Sequence, residues 1–398
     1  MAAPNRIDPE PPDKGIDLER VRETFESSQD FTVGIEEEFA IVDPAMLELE
    51  HRFPQLFEAC QADPELAHSA RGELIDTEIE IRSGRGETFA DAAERQLERR
   101  RRLFELADSM ELGLAAMGTH PWASYLDQQI IDTEHYRELA DELQWVARRN
   151  NTWSVHVHVG VRGADRAVAV CDRMREVLPG LLALSANSPF LDHRDSGLHS
   201  VRTEIFTRTF PRCGVHEPFG DWRSYADFVG LLTEAGAVTE ALQLWWSVRP
   251  HHAFGTVEVR ICDAQTRGDE SLSLSALMTA CVAQAAIDFD ERGPAELLSQ
   301  RQIEENLWRA IRYGLDGEML DFEARSLVPT RRVIEDLVAW TEPARDQLDL
   351  EVAIPEQNGA QRARAELAEG ASIEEIYRGA IGETRRTYAP QEAPVGDD

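Results

Sequence analysis

Four short stretches of the chain carry ionisable residues at every second position. Glu36 and Glu38 stand so in FTVGIEEEFAIV, Glu78 and Glu80 in DTEIEIRS, His156 and His158 in WSVHVHVGV, and Glu258 and Arg260 in GTVEVRICD. If these groups share one partly buried cleft, its carboxylates cannot all stay ionised without cations. Such a wall predicts bound metal or strongly raised carboxyl pKa values. Oxygen-rich ligation suits hard ions, Mg²⁺ or Mn²⁺, and Mg²⁺ is usually held by a few carboxylates together with substrate phosphates. An ATP–metal site follows. Taken singly each stretch has a plainer reading: a solvated edge strand for the glutamates, a zinc or iron site or two structural imidazoles for His156 and His158, a weak surface ion pair for Glu258 and Arg260. The shared placement of a polar set opposite an apolar one in all four stretches favours a common site.

The elements that must position these groups are strands, because successive side chains on a strand point to opposite faces. In the first, Val33, Ile35, Phe39 and Ile41 oppose Glu36 and Glu38. In the second, Ile79 and Ile81 oppose Glu78, Glu80 and Arg82, and in the third, Val155, Val157, Val159 and Val161 oppose His156 and His158. In the fourth, Val257, Val259 and Ile261 oppose Glu258 and Arg260. One sheet built from them would have an apolar face for helices to cover and a polar face gathering Glu36, Glu38, Glu80, His156, Glu258 and Arg260. Helical spacing runs over 87–114, 165–184, 271–292, 302–313 and 331–340, with a charged pair of helices near the C-terminus. The expected class is therefore α+β. Glu37 falls on the apolar side of its strand, where a buried charge demands a partner that the sequence does not name. Four adjacent arginines, Arg99–Arg102, cannot share one helix face, and pairing with glutamates such as Glu94, Glu98 and Glu105 explains them better than nucleic acid does. His120 in GTHPW and the Asn187-Ser188-Pro189 run read as turn features beside a cleft.

Composition narrows the classes. The chain has 398 residues, 42% of them hydrophobic, and 74 acidic against 41 basic residues give a formal net charge of −33. Such a chain can bury a large core. Its negative field opposes duplex DNA and anionic membranes as partners, and the near absence of lysine, with Lys14 alone, suggests a salt-adapted surface. No apolar run long enough to span a bilayer and no leader-like start stand out, which suggests a cytoplasmic protein. Cys60, Cys171, Cys213, Cys262 and Cys281 are odd in number, form no CxxC pair and read as reduced thiols. Neither GxGxxG nor GxxxxGK[ST] occurs, so nucleotide binding would rest on arginines and metal, and no GxSxG elbow or Cys-His signature supports covalent hydrolase chemistry. Residues 1–30 read as an N-terminal extension, 31–385 as one catalytic domain without linker or repeat, and 386–398 as a flexible acidic tail.

With these segments in view, the chain resembles the glutamate–cysteine ligases of the second type, carboxylate–amine ligases related in fold to glutamine synthetase. The motifs, in order, are VGIEEEF, ELIDTEIEI, GTHPW, ARRNNTWSVHVHVG, LSANSPF, RPHHAFGTVEVRICD and ENLWRAIRYGLD. The resemblance covers roughly 31–313 and implies a curved antiparallel sheet forming a funnel, with helices on its outer face. It implies metal binding by Glu36, Glu38, His156 and Glu258, with His158, Arg249 and Arg260 toward the nucleotide. It also implies substrate contacts from Glu73, Glu80, Arg202 and His120, with Arg260 meeting the transferred phosphoryl group and Glu80 serving the reaction. The implied cofactors are ATP and Mg²⁺, with Mn²⁺ as an alternative. The implied reaction joins the glutamate side-chain carboxylate to the amine of cysteine through γ-glutamyl phosphate. A ligase with another amine acceptor, a non-catalytic metal- or nucleotide-binding protein, and a metallo-hydrolase or oxygenase built on His156 and His158 are the rival readings. Ser154 and His135 depart from the family pattern, where glycine and arginine are expected. The acidic, lysine-poor surface resembles that of halophilic archaeal proteins. Small-molecule substrates are the expected partners, and a homo-oligomer is one possible state.

Overall fold

The computed structural model describes residues 15–390. Its frame is a seven-stranded sheet of β1 (Val33–Val42), β2 (Ala70–Arg71), β3 (Glu78–Arg82), β4 (Gly113–Ala115), β5 (Val155–Gly160), β6 (Val248–His251) and β7 (Thr256–Val259). The strands lie in the order β2-β3-β1-β5-β7-β6, with β4 pairing the far end of β1. Every pairing is antiparallel. All four alternating stretches thus enter one sheet, and their registers decide which polar residues meet. Glu36 faces Arg82 on one side and His156 on the other, Glu38 faces Glu80, and His158 faces Glu258, which in turn faces Arg249.

Helices cover the apolar face. Ile35, Val155, Val157, Val159, Val257 and Val259 pack with Val168 and Cys171 of α3 (Ala164–Met174) and with Met278, Cys281 and Val282 of α5 (Gly268–Arg292). Farther along, Phe39, Ile41, Ile79 and Ile81 pack with Leu103 and Phe104 of α2 (Phe89–Ser109) and with Tyr377 and Tyr388 of α9 (Ile373–Tyr388). Edge-to-face contacts of Phe39 with Phe104 and Tyr388, at centroid distances of 5.3 and 5.2 Å, fix this second cluster. α5 is long and apolar enough by composition to cross a membrane, yet most of it is buried as the core helix of this layer.

Several boundaries differ from the sequence expectation for physical reasons. The helical pattern over 165–184 is two helices, α3 and α4 (Leu178–Ser185), because Pro179 is tolerated in the first turn of a helix but not in its interior. The pattern over 87–114 ends at Ser109, and the chain turns back into the sheet as β4. The N-terminal extension holds a helix, α1 (Leu18–Glu26), capped by Asp17 and burying Val21 and Phe25. At the other end α9 runs through Tyr388, three residues past the boundary expected at 385, with the Tyr388 hydroxyl donating to the Gln265 carbonyl at 2.7 Å. Residues 391–398 of the expected acidic tail lie outside the described residues. Helices α6 (Gln300–Tyr313), α7 (Thr330–Trp340) and α8 (Gly359–Ala368) match the later helical patterns.

Glu37 finds its partner in the arginine run. Arg100 is fully buried and forms a bidentate ion pair with Glu37, while Gln96 donates to the same carboxylate at 2.8 Å and Ser271 of α5 completes it. The other arginines go outward: Arg101 pairs with Glu98 and Glu105, Arg102 with Asp63.

Candidate active site

The polar face of the sheet is buried and crowded. Glu36, Glu38, Glu80, His156, His158 and Glu258 all lie there with little exposure. His156 Nδ1 is 3.6 Å from Glu36 Oε2, and its Nε2 is 3.7 Å from Glu38 Oε1. His158 Nε2 stands between two carboxylates, 3.4 Å from Glu36 and 3.9 Å from Glu258. Ser154, at the mouth of β5, donates both its backbone N–H and its hydroxyl to Glu38 Oε2 at 2.6 Å. With its hydrogen on Glu38, the same hydroxyl oxygen is free to accept from His156 Nε2, 2.8 Å away. That arrangement leaves His156 Nδ1 facing Glu36 as an acceptor.

The charges are divided along the wall. Burial opposes ionisation of Glu36, but Arg82 and His158 outweigh it and hold the carboxyl well below its ordinary value. Burial likewise opposes ionisation of Glu258, and Arg249 and Arg260 overcome it. Toward β2 and β3 the balance reverses. Burial, reinforced by Glu38, raises Glu73 to about 7; burial also carries Glu80 well above the usual range despite Arg82, and lifts Glu78 with help from Glu38. The wall thus has an anionic end at Glu36 and Glu258 and a proton-holding end at Glu73, Glu78 and Glu80, as expected of crowded carboxylates.

Not all the candidate residues face this wall with groups to spare. Arg260 pairs with Glu258, approaches His156 Nδ1 at 3.4 Å and keeps a buried Nε without a partner. Arg249 is consumed: it forks onto Glu258, with Nε at 2.6 Å, and donates to the Leu244 carbonyl at 2.6 Å. Arg202 donates to the Ile261 and Arg260 carbonyls at 3.0 and 3.2 Å and lies 3.5 Å from Asp263, so its work is to hold the chain leaving β7. His120, an expected substrate contact, is tied into the fold by both ring nitrogens. Its Nδ1 accepts from the backbone N–H of Trp122 and Ala123, its Nε2 meets the Leu47 carbonyl at 2.8 Å, and burial lowers its pKa to about 4. Both ring nitrogens serve the turn. Asn187 and Ser188 likewise bind Asp263 and backbone carbonyls.

Sequence reasoning placed Arg82 on the polar side of its strand and marked Ser154 as a departure from the family pattern without giving either a role in the site, and it did not single out Arg71. Arg82 bridges Glu36, at 3.1 Å, and Glu80; its place in the same alternation as Glu80 was the available signal. Arg71 faces Glu80 in the register of β2 with β3 and has no carboxylate within 4.0 Å among the described residues. Nothing in the local sequence announced the two-residue strand that brings it there.

The donors fit a hard divalent ion. Two groups of three, Glu36 with Glu80 and His156, and Glu36 with His158 and Glu258, each present one ligand atom apiece within 4.8 Å of one another. His158 Nε2 is buried without a hydrogen-bond partner and lies in the second group. His158, expected at the nucleotide, therefore stands among the ligand atoms, as does Glu80, while Glu38 is held by Ser154.

The model of glutamate–cysteine ligase family 2 matches residues 32–388. A candidate glutamate–cysteine ligase 2 of Sorangium cellulosum is 39% identical over 344 residues, covering 86% of this chain and 90% of that protein. A second, from Rubrobacter xylanophilus, is 35% identical over 366 residues, covering 91% and 94%. The crystal structure of glutamate–cysteine ligase from Francisella tularensis in complex with AMP superposes with a TM-score of 0.64 at 11% identity, over 93% of this chain and 91% of that one, and so shares the fold. On the family match and the extent of these identities, the chain belongs to glutamate–cysteine ligase family 2.

Proposed function

We propose that the protein is an ATP- and Mg²⁺-dependent ligase that activates the side-chain carboxylate of glutamate as γ-glutamyl phosphate and passes the acyl group to the amine of cysteine. The observation that carries this reading is the pair of three-residue clusters sharing Glu36, set beside an arginine with an unpartnered Nε. The complex of the Francisella ligase with AMP supports nucleotide use by a chain of the same fold.

Mg²⁺ held by Glu36, Glu80 and His156 and by Glu36, His158 and Glu258 would offset charge on the phosphate oxygens of ATP. The chain's own residues do the rest. Arg260, kept charged by Glu258, presents its spare donor to the phosphoryl group as the glutamate carboxylate attacks in line and ADP leaves. The amine of cysteine then attacks the acyl carbon and phosphate departs. Glu73, with a pKa near 7 and partly exposed, is suited to accept the amine proton. Arg249 and Arg82 position Glu258 and Glu36 and prevent the wall from repelling itself apart.

The test is ADP release at high KCl with Mg²⁺, ATP and glutamate, with and without cysteine, followed by mass detection of the product. Cysteine-dependent ADP release yielding γ-glutamylcysteine is expected, and Glu258→Gln should abolish it while leaving the fold intact by circular dichroism. Preference for another amine in a panel of acceptors would reassign the second substrate, and absence of turnover with any acceptor would sink the ligase reading.

A further inference from the structure

We propose that Phe254, backed by His251, is the platform on which the purine ring of ATP stacks; this rests on the ligase reading above and names residues for a part of the nucleotide that the metal clusters do not hold. Phe254 sits in the turn between β6 and β7 and is 55% exposed, although the strands on either side are buried. A single exposed ring is ordinary on a protein surface, and what sets Phe254 apart is its stacking on His251 at the edge of the acid wall.

Its setting is rigid. The Phe254 ring lies almost parallel to His251, at a centroid distance of 4.4 Å and an angle of 13°. Both rings stand edge-on to His158, at 5.6 and 4.9 Å. The turn is clamped to α1: Ser28 donates to the Gly255 carbonyl at 2.8 Å, and a Cβ at Gly255, whose φ is +62°, would meet the Thr24 carbonyl at 2.9 Å. His252, next to the turn, is fixed by the Tyr225 hydroxyl at 2.7 Å.

The position matters as much as the ring. His251 and Arg249 alternate along β6, so they share the face that carries Glu258. His158 links the two regions, since one edge of its ring approaches Phe254 and its Nε2 points at Glu36 and Glu258. A ligand that places anionic oxygens at these carboxylates through a divalent ion, and a flat ring on Phe254, is a nucleoside triphosphate. Stacking on an aromatic side chain tolerates different bases, which makes it a grip on the ring rather than a reader of its edge.

The experiment is titration calorimetry at high KCl with two probes, Mg-ATP and Mg-tripolyphosphate, on the wild type, Phe254→Ala and Phe254→Trp. Phe254→Ala is expected to weaken Mg-ATP about tenfold and to leave Mg-tripolyphosphate unaltered, with Phe254→Trp restoring affinity. Should Phe254→Ala fail to fold, Phe254→Leu keeps the bulk without the aromatic face and gives the same readout. Equal Mg-ATP affinity in the wild type and the Ala or Leu variant overturns the platform, as does equal loss of both probes. A wild type that binds tripolyphosphate as tightly as ATP overturns the platform and leaves the phosphate site standing. A wild type that binds neither removes the ligase reading along with it.

Discussion

Arg202 is buried and Arg260 half-buried near the end of β7, and the difference between them is where their Nη donors go. Arg202 sends its two Nη donors to the carbonyls of Ile261 and Arg260 and lies 3.5 Å from Asp263, whereas Arg260 aims its Nη1 at Glu258 and His156 on the acid wall; each keeps a buried Nε without a partner. Arg202→Met should therefore act on stability: it strands two buried carbonyls and the fully buried Asp263, and a loss of about 3 kcal/mol or more in chemical denaturation is expected. Arg260→Lys keeps a charge beside Glu258 but loses the planar fork. It should fold normally and lose ADP release by at least tenfold. An Arg202→Met protein as stable as the wild type, with a raised KM for glutamate alone, would return Arg202 to the substrate. The face of each strand was legible in the sequence, because alternation of apolar and ionisable residues determines it. Which cation on that face was already occupied was not legible, since Arg202 and His120 are consumed by backbone carbonyls far along the chain, those of Arg260, Ile261 and Leu47, and a backbone acceptor leaves no mark in the side-chain pattern.

At the scale of elements, β1 is held from both sides. Its even-numbered glutamates build the site, while Glu37 reaches the opposite face and is met by Arg100 and Gln96 of α2 and Ser271 of α5. Three elements thus close on one buried carboxylate directly behind the metal-binding candidates. Helical periodicity showed that Arg99–Arg102 must point in four directions, and the odd position of Glu37 showed that a cation was needed inside. Joining the two required the packing of α2 against β1, which the sequence does not encode locally. The consequence can be measured by a double-mutant cycle in guanidinium at constant KCl. Arg100→Met alone should cost about 3–5 kcal/mol by leaving Glu37 charged and unpaired, and Glu37→Met together with Arg100→Met should recover most of that loss. Additive effects of the two substitutions would mean that the ion pair does not couple the elements.

Over the whole molecule, the excess of acids sets how folding responds to salt. With 74 acidic against 41 basic residues, repulsion among exposed carboxylates outweighs the exposed Arg–Glu and Arg–Asp pairs, which are individually weak. Added salt screens both, but the repulsion is the larger and longer-ranged term, so its removal dominates. At 1 M ionic strength the screening length falls to about 3 Å, below the spacing of most surface charges. The buried pairs, Glu37 with Arg100 and Glu258 with Arg249 and Arg260, are shielded from that screening by their burial. Salt should consequently relieve the surface without loosening the site. The expected outcome is a thermal midpoint that rises from low to molar KCl and rises equally in NaCl. A non-ionic osmolyte separates the causes, because exclusion from the surface stabilises without screening. A midpoint unchanged by KCl, or raised as much by sucrose as by salt, would mean that the charge imbalance does not limit folding. The same field repels a polyanionic nucleotide, so the association rate of Mg-ATP should also climb with KCl before it levels off, in parallel with the midpoint.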